Sequence, residues 1–233
     1  MSYRNRHVVV TGGTGALGTA VVTALIRAGA ICHVPCRGDA EAEHFPHRDD
    51  KQVSFIALGN LVDEAAVNTF YGGLPRLWAS IHIAGGFASA PIETSDKALL
   101  MGQLESNLVS AYLCSRAAVS CFRQTGAGGR IVNVAARPAL EPRGGTSMTA
   151  YTASKAALAG FTQALAEEIA KDGILVNAVA PSIMDTPANR NSMPKAGFAA
   201  WPKVDEVTAT IMFLASPENV VTRGAIMPVY GKS

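Results

Sequence analysis

His7-Val8-Val9-Val10-Thr11-Gly12-Gly13-Thr14-Gly15-Ala16-Leu17-Gly18 is the stretch that decides the fold. His7 to Val10 is a short β-branched run of the kind that forms strands, and it enters a glycine-rich turn with no linker between. Past the turn, Leu17, Val21, Leu25 and Ala28 recur near helical spacing over residues 16–28, and Gly29 stops the helix. A strand that turns through glycines straight into a helix opens a dinucleotide-binding βαβ unit. Glycines permit positive φ and let main-chain N–H groups approach a pyrophosphate, while the helix N-terminus adds unpaired donors and the positive end of a dipole. The candidate cradle is therefore Gly12, Gly13, Thr14, Gly15, Ala16, Leu17 and Gly18, with the four glycines as its essential members.

Outward from this unit, apolar runs alternate with helical patterns to the end of the chain. Strands are expected at 31–35, 53–58, 77–83, 130–134, 174–180 and 224–229, and helices at 63–71, 98–125, 151–171 and 204–215. Such alternation specifies an α/β fold with a doubly wound parallel sheet, a single Rossmann-type domain over residues 1–233. Residues 39–51 are polar and read as partly loop. Residues 182–203 carry three prolines and little periodicity, so they form a long loop or a set of short helical turns on the substrate side, and loops of that length are commonly functional covers.

Composition narrows the function. At 48% hydrophobic and 16% charged the chain is too apolar to be disordered, and 233 residues bury one core but are short for two. Twenty Lys and Arg against eighteen Asp and Glu leave a net charge of +2 with no basic stripe, which argues against a nucleic-acid partner. Apolar stretches break before the ~20 residues of a membrane span and residues 1–7 are too polar for a signal peptide, so no membrane association and a cytoplasmic location are expected. Cys32, Cys36, Cys114 and Cys121 have the spacing of neither a disulfide framework nor a zinc site and read as reduced thiols; no metal is expected.

The residue ending the second strand selects the dinucleotide, because an acid there accepts from the ribose 2′-OH. This chain has Pro35-Cys36-Arg37, and a guanidinium forks onto phosphate oxygens, so Arg37 points to NADPH. NADH stays possible through Asp39 or Glu41 should that loop fold back. Tyr151 and Lys155 stand one turn apart in the clearest helical pattern of the chain, and an ammonium beside a phenol lowers its pKa from ~10 and suits it to acid–base work. His82, inside an apolar strand, reads as a satisfied core histidine.

The glycine turn, Ala84-Gly85-Gly86 after the fourth strand, Asn107, the Tyr151-Thr152-Ala153-Ser154-Lys155 motif and Pro181 to Pro187 together resemble the short-chain dehydrogenase/reductases over essentially the whole chain. That resemblance implies an NAD(P)H-dependent oxidoreductase in which Tyr151 is the general acid, Lys155 holds the cofactor ribose and tunes Tyr151, and Asn107 supports a proton relay. It further implies cofactor contacts from Asn60, Leu61, Ala84, Gly85, Gly86, Pro181, Ile183 and Thr186, and a homodimer or homotetramer paired through the helices at 98–125 and 151–171. Two departures stand out. Ala16 replaces a glycine of the commonest turn, and Ala135-Ala136 stand where the family has a substrate-orienting serine, leaving Thr146, Ser147 or Thr149 as substitutes.

Residues 185–201 resemble the corresponding loop of the dihydropteridine reductases, a branch that also lacks the serine. This implies hydride transfer to a flat conjugated small molecule, a quinonoid dihydropterin above all, with Phe87 and Trp201 flanking the ring. The alternatives are an ordinary carbonyl or 3-oxoacyl reductase with a substitute hydroxyl, and a catalytically weak nucleotide-binding regulator.

Overall fold

The computed structural model describes residues 1–43 and 45–233. In chain order the elements are β1 (His7–Thr11), α1 (Ala16–Arg27), β2 (Ile31–Cys36), α2 (Asp39–Ala42), β3 (Val53–Ala57), α3 (Glu64–Gly72), β4 (Leu77–His82), α4 (Lys97–Leu104), α5 (Ser110–Thr125), β5 (Gly129–Val134), α6 (Arg137–Leu140), α7 (Thr149–Glu168), β6 (Ile174–Pro181), α8 (Pro187–Ser192), α9 (Val204–Ala215) and β7 (Ile226–Val229). All strand pairs are parallel, in the order β3-β2-β1-β4-β5-β6-β7. The expected doubly wound sheet is therefore present.

Strand side chains alternate between faces, and β1 displays the consequence. Val8 and Val10 lie under α1 and α9 with Val21, Leu25, Val207 and Ile211, whereas Val9 faces α3 and α5 with Val67, Phe70, Ala118 and Phe122. Both faces of the sheet are thus covered, which is why its strands read as continuous apolar runs. Among the described residues no helix is long and apolar enough to cross a membrane.

Two differences from the sequence expectation have local causes, and the 182–203 segment takes the expected form of short helical turns. The helix expected over 98–125 is continuous, but Glu105–Val109 form a π-helical turn between α4 and α5. One widened turn leaves no periodic mark in a sequence, and such turns concentrate at functional sites; here it carries the fully buried Asn107. The helix expected over 151–171 begins two residues earlier, at Thr149, and ends in a 3₁₀ turn, Ala170–Asp172, before Gly173 at φ 69°. The 182–203 segment contains α8 and a 3₁₀ turn, Phe198–Ala200, and is fastened at its base by Asp185. That carboxylate accepts a bidentate pair from Arg190 at 2.5 and 2.8 Å and a further bond from Lys203, and the Asp185 N–H donates to Pro202 O at 2.9 Å.

His82 is 2% exposed and lies inside a polar chain that crosses the core. Asn133 Nδ2 donates to Thr162 Oγ1 at 2.9 Å, so Asn133 Oδ1 must accept from His82 Nδ1–H at 2.8 Å. His82 Nε2 is then an acceptor for Ser80 Oγ–H at 2.8 Å, and Ser80 accepts from Tyr71 at 2.7 Å. Every bond in the chain therefore has a defined direction with a neutral imidazole at its centre. It ties α3, β4, β5 and α7 into one register.

Candidate active site

The strand order reverses between β1 and β4, and in open parallel sheets a crevice forms beyond the carboxyl ends of the strands at that point. A cleft of about 1000 Å³ lies there, lined by the glycine turn, the ends of β2 and β3, the Ala84-Gly85-Gly86 turn and the start of the 182–203 segment. Gly12 has φ 66°, and a Cβ on it would lie 2.7 Å from Ala84 N. A Cβ on Gly18 would lie 2.6 Å from Gly13 Cα, so that the helix seats against the turn only without a side chain there. Gly12→Ala is expected to cost about 1–3 kcal/mol of stability through the forced left-handed conformation, and to weaken dinucleotide binding as the turn shifts. Thermal unfolding and NADH titration of the variant check this, and unchanged values for both would remove Gly12 from the cradle.

At one end of the cleft, Thr14, Arg37 and Glu41 converge. Thr14 Oγ1 donates to Glu41 Oε1 at 2.9 Å, and the Arg37 main-chain N–H donates to Glu41 Oε2 at 2.7 Å. The Arg37 side chain is 87% exposed with its Nε 3.8 Å from the same carboxylate. The side chain of Asp39, the other acidic alternative, lies outside the described residues. Asn60 and Leu61 line this end with Leu58 and Gly59.

At the other end, Asn107 clasps the Gly86 peptide from both sides: Gly86 N–H donates to Oδ1 at 3.0 Å and Nδ2 donates to Gly86 O at 2.9 Å. Asn107 Nδ2 also reaches Ser154 Oγ at 3.2 Å, and Ser154 Oγ donates to Tyr151 O at 2.7 Å. One buried amide thus fixes the turn after β4 against the first turns of α7. A Cβ on Gly85 would lie 2.5 Å from Asn107 Oδ1, which explains the first glycine of that turn.

Lys155 is 5% exposed and donates to Val134 O at 2.7 Å; its Nζ is 6.0 Å from the Tyr151 ring centroid. Burial lowers the ammonium to about 8 and pushes the Tyr151 phenol up to about 12. The expectation that Lys155 lowers the phenol is not met in this arrangement: removal from water raises the phenol, and the Lys155 ammonium is engaged with Val134 O. Tyr151 is consequently held protonated through the neutral range.

Phe87 is 64% exposed and meets the Tyr151 ring edge-on at 5.0 Å. Trp201 is instead 7% exposed and packs on Phe198 at 5.1 Å, so of the two aromatic candidates only Phe87 stands beside Tyr151 with its ring open. Ala135 and Ala136 are buried, and Thr146, Ser147 and Thr149 are exposed. Ser147, at φ 59°, uses its carbonyl to hold Ala90 N and Ser89 Oγ. Thr186 lines the cleft and caps α8 through Asn189 N at 3.2 Å, whereas Pro181 ends β6 and Ile183 is half exposed outside the lining. Met184, Asn189 and Ser106 also line the cleft and were not singled out from the sequence, since nothing in their spacing distinguishes them.

The sequence pattern of the family described as short chain dehydrogenase matches residues 6–197. Galactitol 2-dehydrogenase of Rhizobium johnstonii is 31% identical, over 98% of this chain and 97% of its own. The 2-dehydro-3-deoxy-L-rhamnonate dehydrogenase (NAD(+)) of a Sphingomonas species is 29% identical over 98% and 95%. Among solved structures, a short chain dehydrogenase/reductase family protein superposes with a TM-score of 0.89 at 25% identity, over 99% of this chain and 98% of that one. ElxO with NADP bound has the same fold, with a TM-score of 0.88 at 23% identity over 97% and 98%. The glycine cradle, the Tyr151 and Lys155 pair and the match over most of the chain agree: this protein belongs to the short-chain dehydrogenase family and is an oxidoreductase of that family.

Proposed function

We propose that the protein transfers a hydride between a nicotinamide dinucleotide and a small conjugated substrate, with Tyr151 as the proton donor. The observation that carries this reading is the joining of the cleft to Tyr151 by Asn107, through Gly86 on one side and Ser154 on the other. The bound dinucleotide would supply the hydride. Gly12, Gly15 and Gly18 would admit its pyrophosphate, Ala84 to Gly86 and Thr186 would border it, and Lys155 would turn its ammonium from Val134 O to the ribose. Tyr151, protonated at neutral pH, holds the proton that completes a reduction. Residues 182–203 would cover the site, anchored at Asp185.

A flat substrate suits these residues. Phe87 offers an open aromatic face beside Tyr151, and no side chain of Ala135 or Ala136 can grip a carbonyl oxygen. A quinonoid dihydropterin is the first compound of this class to assay. A second reading, dehydrogenation of a secondary alcohol, is favoured by relatives named for a polyol and a sugar acid. Arg37 favours NADPH at the adenosine end and Glu41 opposes it. On this reading the protein acts on its own small molecule in the cytoplasm, as a homodimer or homotetramer through α5 and α7, where the exposed Tyr112 meets Phe161 at 5.2 Å.

Turnover of quinonoid dihydrobiopterin and of galactitol, each with both dinucleotides, separates the two readings. Reduction of the pterin without oxidation of the polyol is expected. Polyol oxidation alone would replace the first reading with the second, and no turnover of either would remove both substrates.

A further inference from the structure

We infer that Ser147 is a positioning residue that fits the site to a flat substrate: held in the left-handed conformation, it presents its carbonyl to Ser89 and Ala90 and so fixes Phe87 as a wall beside Tyr151. This rests on the reading of Tyr151 as proton donor to a flat molecule.

The Phe87 ring stands open to solvent and has no core to hold it. The segment that carries it is nevertheless fastened on both sides. Before Phe87, Asn107 accepts from the Gly86 N–H at 3.0 Å and donates to the Gly86 carbonyl at 2.9 Å. After it, the Ala90 N–H at 2.7 Å and the Ser89 hydroxyl at 2.8 Å both donate to Ser147 O. Only Phe87 and Ala88 stand between the two fastenings.

Ser147 is the third residue of a turn from Gly145 to Met148, closed by the Met148 N–H on Gly145 O at 3.0 Å. Its φ is 59°, which glycine adopts freely and serine seldom does. Among the described residues Asn5 alone shares this trait outside glycine. The turn is seated on α7, because Met148 O accepts from the Thr152 N–H at 2.9 Å and a Cβ on Gly145 would run into Thr152 Oγ1. A residue persists in such a conformation only where its surroundings impose it, and such residues cluster at functional sites. Here the carbonyl is what is used. Among the described residues the Ser147 hydroxyl has no hydrogen-bond partner.

The first turn of α7, which carries Tyr151, is thereby joined to the segment that carries Phe87. The two rings meet edge-on at 5.0 Å, and the Phe87 wall needs no ordering when a substrate arrives. Loss of the fastening should therefore appear in substrate binding more than in proton transfer.

Steady-state reduction of quinonoid dihydrobiopterin at saturating NADH or NADPH tests this. Ser147→Val places a β-branched residue where positive φ is least tolerated, and is expected to raise KM roughly tenfold with kcat within about twofold. Ser147→Gly takes the conformation freely though it has no hydroxyl, and should restore KM to within about twofold of the unmodified protein. In a Phe87→Leu background Ser147→Val should change KM less than about twofold, because the ring it positions is gone. Should Ser147→Val not fold, Ser89→Ala takes its place; it removes one of the two donors and should raise KM roughly threefold, again only with Phe87 present. A Ser147→Gly protein as impaired as Ser147→Val overturns the inference, and so does an equal change in KM with and without Phe87. An unmodified protein that does not reduce the pterin would instead bring down the flat-substrate reading, and this inference with it.

Discussion

Tyr151→Phe is expected to lower kcat roughly 10²–10⁴-fold while leaving dinucleotide affinity almost unchanged, the loss attributed to a positioned acid–base group. The substitution removes one hydroxyl from the first turn of α7 and keeps the ring that meets Phe87 at 5.0 Å. The clasp that builds the site also survives, because Asn107 reaches α7 through Ser154 and the Tyr151 main-chain carbonyl, not through the phenol. A variant that folds, binds NADH and fails in turnover is therefore the expected phenotype. Single-turnover kinetics with saturating dinucleotide measure it. Full activity would mean that water or another group delivers the proton, and Tyr151 would lose its place in the mechanism.

Stability should fall steeply as pH drops below 6.5. Burial holds His82 neutral, with its pKa lowered to about 4, and the chain of hydrogen bonds from Tyr71 to Thr162 uses Nε2 as an acceptor, a role that a protonated ring cannot fill. Between the two values the unfolded chain binds a proton that the folded one does not, so protonation pulls the equilibrium toward unfolding. The loss from His82 amounts to about 2 kcal/mol at pH 5 and approaches 3 kcal/mol at pH 4, relative to neutral pH. His33, also lowered to about 4 by burial and by the neighbouring His7 at 2.9 Å, adds to the loss in the same direction. Urea unfolding of the unmodified protein and of His82→Gln at pH 7 and pH 5 checks the assignment. His82→Gln should be less stable at pH 7 but lose less on acidification; parallel losses in both proteins would place the acid sensitivity elsewhere.

What the sequence determined by itself was the architecture and the candidates for the two ends of the chemistry. Strand and helix alternation is a local pattern of period, and the covering of both sheet faces makes each strand an apolar run, so all seven strands could be placed from the chain. The glycine turn was readable for the same reason, because a positive φ and a missing Cβ leave a residue-type signature at Gly12 and Gly18. Tyr151 and Lys155 declared themselves by one-turn spacing on a strong helix.

The tertiary structure decided everything that depends on which residues meet across the sheet. Burial, which no spacing reports, raised the Tyr151 phenol and set Lys155 against Val134 O. It also moved Trp201 onto Phe198, away from the role given to it. Asn107 was visible as a candidate, but its clasp on Gly86 depends on a π-helical turn that disturbs no periodicity. Glu41 was only one of two acidic alternatives to Arg37, because a charge four residues beyond a strand acquires meaning only when the chain folds it against Thr14. Residue type is local information, whereas solvent exclusion and hydrogen-bond partnership belong to pairs distant in the chain, and those pairs turn a cleft into a site.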